Sequence, residues 1–162
     1  MMVMMLQLLS AVGLGIMAYQ DMRDREVSWL LFPLLGISLG LTFGLQVGLT
    51  VFFYATLLNL ALVTVMVALL WAITTFIFKK PFLDVSFGLG DLLLLYVFAL
   101  GFPTMTFVFL LVGSLLFSLL AFMLMKLVLQ SQTVPLAGLM GVFLIAMILL
   151  SWMPGTPSLY TY

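Results

Sequence analysis

The chain has 162 residues, 66% of them hydrophobic and 6% charged, and its five basic and five acidic side chains give a formal net charge of zero. A soluble domain of this length cannot hide so much apolar surface, so the lipid bilayer is the expected solvent, and the neutral balance argues against a nucleic-acid partner. Cysteine and histidine are absent, which removes disulfides, thiolate nucleophiles, Cys/His zinc sites and every triad built on an imidazole base.

A membrane-crossing helix takes about 20 apolar residues, and six segments reach or approach that length. The first, Met1 to Tyr19, has no basic residue before it and no small-x-small cleavage site, so a retained helix is expected rather than a signal peptide. The polar turn "QDMRDREVS", Gln20 to Ser28, leads to a second segment, Trp29 to Gln46. There Gly36, Gly40 and Gly44, followed by Gly48, repeat every four residues, the pattern of close helix packing in membranes. A weak break at Val47-Gly48 opens a third segment, Leu49 to Phe78. As one helix, Trp29 to Phe78 would be about 75 Å long against a hydrocarbon core of about 30 Å, so two crossings are expected. Asn59 inside the third segment reads as an interhelical hydrogen-bonding residue.

"KKPFLDVSFGLG", Lys79 to Gly90, precedes a fourth segment, Asp91 to Phe102, only about 18 Å long as a helix. "GFPT", Gly101 to Thr104, leads to a fifth, Met105 to Leu129, and "QSQTVP" to a sixth, Leu136 to Met153. The expected fold is an all-α polytopic membrane protein: a six-transmembrane-helix bundle forming one domain over 1–153, with a short polar tail over 154–162. Trp152, Tyr160 and Tyr162 suit an outer interfacial belt. With alternating helices, Arg23, Arg25, Lys79, Lys80 and Lys126 all fall on one side. Basic residues favour the cytoplasmic face, which puts both termini outside.

The same alternation brings the acids to that face. Asp21 closes the first segment and Asp91 heads the fourth, at one depth. Two carboxylates around one water do not both ionise readily, so one keeps a proton while the other accepts one from the water. That pair supplies the acid and the base for peptide hydrolysis without metal or cofactor. Gly88 and Gly90 remove side-chain bulk next to Asp91 and permit positive φ. Taken singly, Asp91 reads as a helix N-cap and Asp21 as a loop residue paired with Arg25. Their conjunction with the glycines and the topology favours a catalytic pair. Asp24 and Glu26 read as a solvated loop, and Asp84 as a loop residue or a contact for a basic leader peptide.

"YQDMRDREVSW", Tyr19 to Trp29, and "FGLGD", Phe87 to Asp91, resemble the two active-site motifs of the prepilin peptidases, the GxGD-type intramembrane aspartic peptidases. The resemblance covers nearly the whole chain and is closest to the short forms without the cysteine-bearing cytoplasmic region. It implies that Asp21 and Asp91 are catalytic and that the substrate is a type IV pilin-like precursor, cleaved at the cytoplasmic face of the inner membrane. It also implies no N-methylation of the product. Leu93 stands where the family usually has Lys, and Ser28 where it often has Pro. Two other classes stay open: a degenerate membrane subunit that binds pilin-like helices without cutting them, and a small proton- or cation-coupled transporter. The oligomeric state is not fixed by the sequence.

Overall fold

In the computed structural model the chain forms six α-helices, α1 (Met2–Asp24), α2 (Leu31–Val47), α3 (Leu49–Ala72), α4 (Leu89–Ala99), α5 (Thr104–Leu129) and α6 (Leu136–Leu150), and a π-helical turn, Ile73–Ile77, continues α3. The structure describes residues 1–79, 88–129 (backbone alone at 127–129), 135–156 and 158–160, with no strand among them. Helix is what this composition dictates in an apolar solvent, because only a helix satisfies its backbone donors and acceptors within one segment. The prolines agree. Pro33 lies in the first turn of α2, and Pro103 and Pro135 stand just before α5 and α6, positions where a missing amide hydrogen costs nothing.

Gly48 is the sole residue between α2 and α3 and has φ 84°, a conformation only glycine adopts without strain. The bend it makes folds α3 back on α2: a Cβ at Gly40 or Gly44 would lie 3.8 or 3.7 Å from the Phe52 ring. Gly36 faces Leu100 at 3.3 Å, so the four-residue glycine repeat packs α2 against both α3 and the end of α4. Asn59 is fully buried, and its Nδ2 donates to the carbonyls of Ala99 at 3.0 Å and Phe102 at 2.9 Å. It thereby closes the C-terminus of α4, whose last carbonyls have no helical partner.

Contacts fix the helix directions. Ser10 of α1 donates to Ser38 of α2 at 2.9 Å, and Thr64 of α3 meets Tyr96 of α4 at 3.2 Å. Phe98 of α4 packs on Phe107 of α5 with ring centroids 5.3 Å apart. A Cβ at Gly113 of α5 would touch Phe143 of α6 at 3.0 Å. Together with the short connections, these place successive helices antiparallel, as the sequence suggests. Arg23, Arg25, Lys79, Asp91 and Lys126 therefore share one end of the bundle with the C-terminus of α1.

Three helical stretches, Met2–Asp24, Leu49–Ile77 and Thr104–Lys126, are long and apolar enough to cross a membrane; α2, α4 and α6 are shorter. Large apolar side chains such as Phe53 and Phe109 stand exposed on the outside, at 65% and 78%, as suits a protein embedded in lipid. Inside, Leu14, Met17, Leu35, Phe98, Met140 and Leu144 are closed off completely or nearly so.

Several boundaries differ from expectation. The first helix runs five residues past Tyr19 to Asp24, so Asp21 lies within it. The fourth begins at Leu89 and ends at Ala99, and the sixth ends at Leu150. Tyr160 is not an interfacial residue: it is 6% exposed, and its ring stacks with Phe102 at 5.8 Å and Phe43 at 6.3 Å. Trp152 donates its indole N–H to Gln7 Oε1 at 2.8 Å, fastening the chain after α6 to α1. Tyr162 lies outside the described residues.

Candidate functional site

The last turn of α1 sets the first acid. Arg23 donates to the Tyr19 hydroxyl at 2.6 Å and lies over its ring, an i,i+4 pairing that supports helix here. Arg25 then turns the chain with φ 60°. Gln20 Oε1 accepts the Ser28 amide at 2.9 Å, which folds the following loop back on the helix. Asp21, one turn before the end, points inward and is 9% exposed. The expected loop residue is thus a buried helical one. Asp24 pairs with Arg23 at 3.7 Å with both side chains exposed, in keeping with a solvated role.

The second acid belongs to the first turn of α4. Gly88, not Asp91, is the N-cap residue. Asp91 stands three positions later, in the first turn, with its Oδ2 beside Gly88. Neither glycine of the motif has positive φ. Gly88 is extended with φ −71° and Gly90 is helical, so the backbone freedom expected of them is not used. Gly88 is small for another reason: a Cβ there would lie 2.9 Å from Asp91 Oδ2. At Gly90 the nearest atoms, on Phe32 and Val27, would be at 3.8 and 3.9 Å, an ordinary contact.

The two acids meet at the start of α6. The Ala137 amide donates to Asp91 Oδ1 at 2.7 Å, and the Gly138 amide donates to Asp21 Oδ2 at 2.6 Å. These are orphan donors of a helix N-terminus, and the positive end of the helix dipole favours carboxylates there. Adjacent amide nitrogens in a helix are roughly 3 Å apart, so the two bonded oxygens lie within about 8 Å of each other. Helices α1, α4 and α6 thus join two acids that are distant in sequence, as the paired-acid reading expects.

Ala137 and Gly138 are the site residues that sequence reasoning missed. Their signal was the run of small residues Ala137, Gly138 and Gly141 behind Pro135, a pattern of close helix approach. Leu93, where the resembled family usually has Lys, packs against the apolar core. Asp84 lies outside the described residues. Among the described residues no three His, Cys, Asp or Glu side chains converge. No family model, no curated protein and no solved structure matches the chain. A functional reading therefore rests on the site's own geometry.

Proposed function

We propose that the chain is an intramembrane aspartic endopeptidase of the prepilin-peptidase kind, in which Asp21 and Asp91 activate water to cut the leader from a type IV pilin-like precursor. The observation that carries this reading is the convergence of the two carboxylates on the consecutive amides of Ala137 and Gly138. In the proposed reaction one carboxyl is ionised and the other protonated. The ionised one takes a proton from water as the water oxygen attacks the scissile carbonyl carbon, and the protonated one donates to the carbonyl oxygen. Collapse of the tetrahedral intermediate breaks the C–N bond: the carboxyl that took the water proton passes it to the leaving amine, and the other carboxylate takes back its proton from the hydroxyl of the intermediate.

The membrane arrangement belongs to the same proposal: six crossings, both termini outside, and the acid pair at the cytoplasmic face of the inner membrane. Antiparallel succession of the helices supports it, as does the gathering of Arg23, Arg25, Lys79 and Lys126 at the acid-bearing end. The same gathering disfavours a transporter, because no acid lies in the far half of any helix to continue a relay. The non-enzymatic subunit draws support from one observation, the apolar packing of Leu93. An assay decides between it and the peptidase. Purified protein is mixed with a pilin-like precursor and cleavage is read as a mass shift. Wild type is expected to cut, and Asp21→Asn and Asp91→Asn to accumulate in membranes without cutting. An inert wild type, or full cleavage by either variant, refutes the peptidase.

A further inference from the structure

We infer that Gly138, which lies in neither acidic motif, is a positioning residue that seats the Asp21 carboxylate for catalysis; this rests on the peptidase reading above. Its amide is the donor at 2.6 Å to Asp21 Oδ2. A Cβ at position 138 would lie 3.0 Å from that same oxygen, 3.1 Å from Met22 Cγ and 3.2 Å from the Ala18 carbonyl oxygen. Met22 is flexible and exposed and can yield. The Ala18 carbonyl is part of the α1 backbone and yields only with the helix, and the carboxylate yields only by straining the bond to its donor. A methyl group at 138 therefore pushes α1 from α6, or the Asp21 carboxylate aside, by a few tenths of an ångström, and either way the hydrogen bond is strained.

The other acid has a parallel arrangement, with Asp91 Oδ2 standing 2.9 Å from where a Gly88 side chain would begin. Each carboxylate occupies the space of a missing side chain, one supplied by the acidic motif itself and one by α6. Gly141, one turn further along α6, separates this role from plain packing. A Cβ there would meet Met17 Cε at 3.3 Å and the Leu14 carbonyl oxygen at 3.4 Å. It crowds the same α1–α6 contact, and no carboxylate is among its nearest neighbours.

The test compares wild type, Gly138→Ala, Gly141→Ala and Asp21→Asn on one precursor substrate, measuring kcat, KM and the melting temperature of each in detergent. Displacement of a reacting group by about 1 Å costs on the order of 10²-fold in rate. A shift of a few tenths of that distance is expected to lower kcat of Gly138→Ala by roughly tenfold with KM within about threefold, while Gly141→Ala keeps kcat within about threefold. Unchanged kcat in Gly138→Ala overturns the inference. So does a fall in kcat shared equally by both alanine variants and tracking their melting temperatures, which is the mark of general loosening. If Gly138→Ala does not fold, the double variant with Met22→Ala removes the Met22 Cγ contact and leaves the carboxylate one. The same kcat loss is expected of it, and its failure to accumulate would make Gly138 a packing residue. An inactive wild type, or an active Asp21→Asn, strikes the peptidase reading instead, and the two failures are told apart by those controls.

Discussion

Asp21 and Asp91 are held by neighbouring amides of one helix, that of Gly138 at 2.6 Å and that of Ala137 at 2.7 Å. The arrangement places two acids where two orphan donors need acceptors, so α6 is capped by side chains from α1 and α4 rather than by its own sequence. Its start and the carboxylate pair depend on each other.

The absence of cysteine makes that proximity directly measurable. In the double variant Asp21→Cys, Asp91→Cys, a short bifunctional thiol reagent is expected to bridge the two positions within one molecule, seen as one added linker and no free thiol. Asp24→Cys paired with Asp91→Cys is expected to take two separate reagents, because the Asp24 side chain is 59% exposed on the outside of α1. Equal bridging in both pairs, or none in the first, would show that the acids do not share a site in the membrane.

The two glycines of the Gly-Leu-Gly-Asp motif separate cleanly. Gly88→Ala puts a carbon 2.9 Å from Asp91 Oδ2, whereas Gly90→Ala meets only Phe32 and Val27 at ordinary distances. Gly90→Ala is expected to keep cleavage within a few-fold, helped by the better helix propensity of alanine, worth about 1 kcal/mol. Gly88→Ala is expected to lose activity on the order of tenfold to 10²-fold, since the carboxylate must move. Initial cleavage rates of the two purified variants check this, and a greater loss in Gly90→Ala contradicts the geometry.

How much of this was legible in the sequence varies with the kind of force involved. All six helix starts lie within two residues of the expected positions, because glycine, proline and short polar turns punctuate an otherwise uniform apolar chain. The extension of α1 through Asp24 was not legible: Gln20, Asp21 and Arg23 look like a polar turn until Tyr19, Ser28 and Gly138 are seen to satisfy them. Asp21 and Asp91 were recognisable as a pair from charge and alternation. Their shared anchor on α6 was not, since backbone amides leave no mark on residue type beyond the smallness of Ala137 and Gly138. Tyr160 was misplaced because an aromatic residue in a polar tail suits the interface by composition, and only the ring contacts show otherwise.

Asn59 is the buried polar residue that ends α4. Asn59→Leu fills similar space and leaves the carbonyls of Ala99 and Phe102 without this donor, at a cost of about 1–2 kcal/mol. Asn59→Asp is expected to be worse, because an ionised carboxylate has no hydrogen to give and faces two carbonyl oxygens. Reversible unfolding in mixed micelles gives the two differences. Stability equal to wild type in Asn59→Leu would mean that the α4 terminus closes by other means.

Tyr160 tests whether the chain beyond α6 belongs to the bundle. Its ring lies against Phe43 of α2 and Phe102 after α4, at the end of the bundle away from the carboxylates. Tyr160→Ala opens a cavity among these rings and is expected to destabilise the protein by about 3 kcal/mol, whereas Tyr160→Phe keeps the aromatic stacking and is expected to cost about 1 kcal/mol or less. Neither substitution touches a residue of α6 near the acids, so kcat per folded molecule should stay at the wild-type value in both. Unfolding and cleavage measured on the same preparations separate the two effects. A stable Tyr160→Ala would return this segment to the polar tail that its composition suggests, and a kcat loss without a stability loss would tie this end of the bundle to the acid pair at the other.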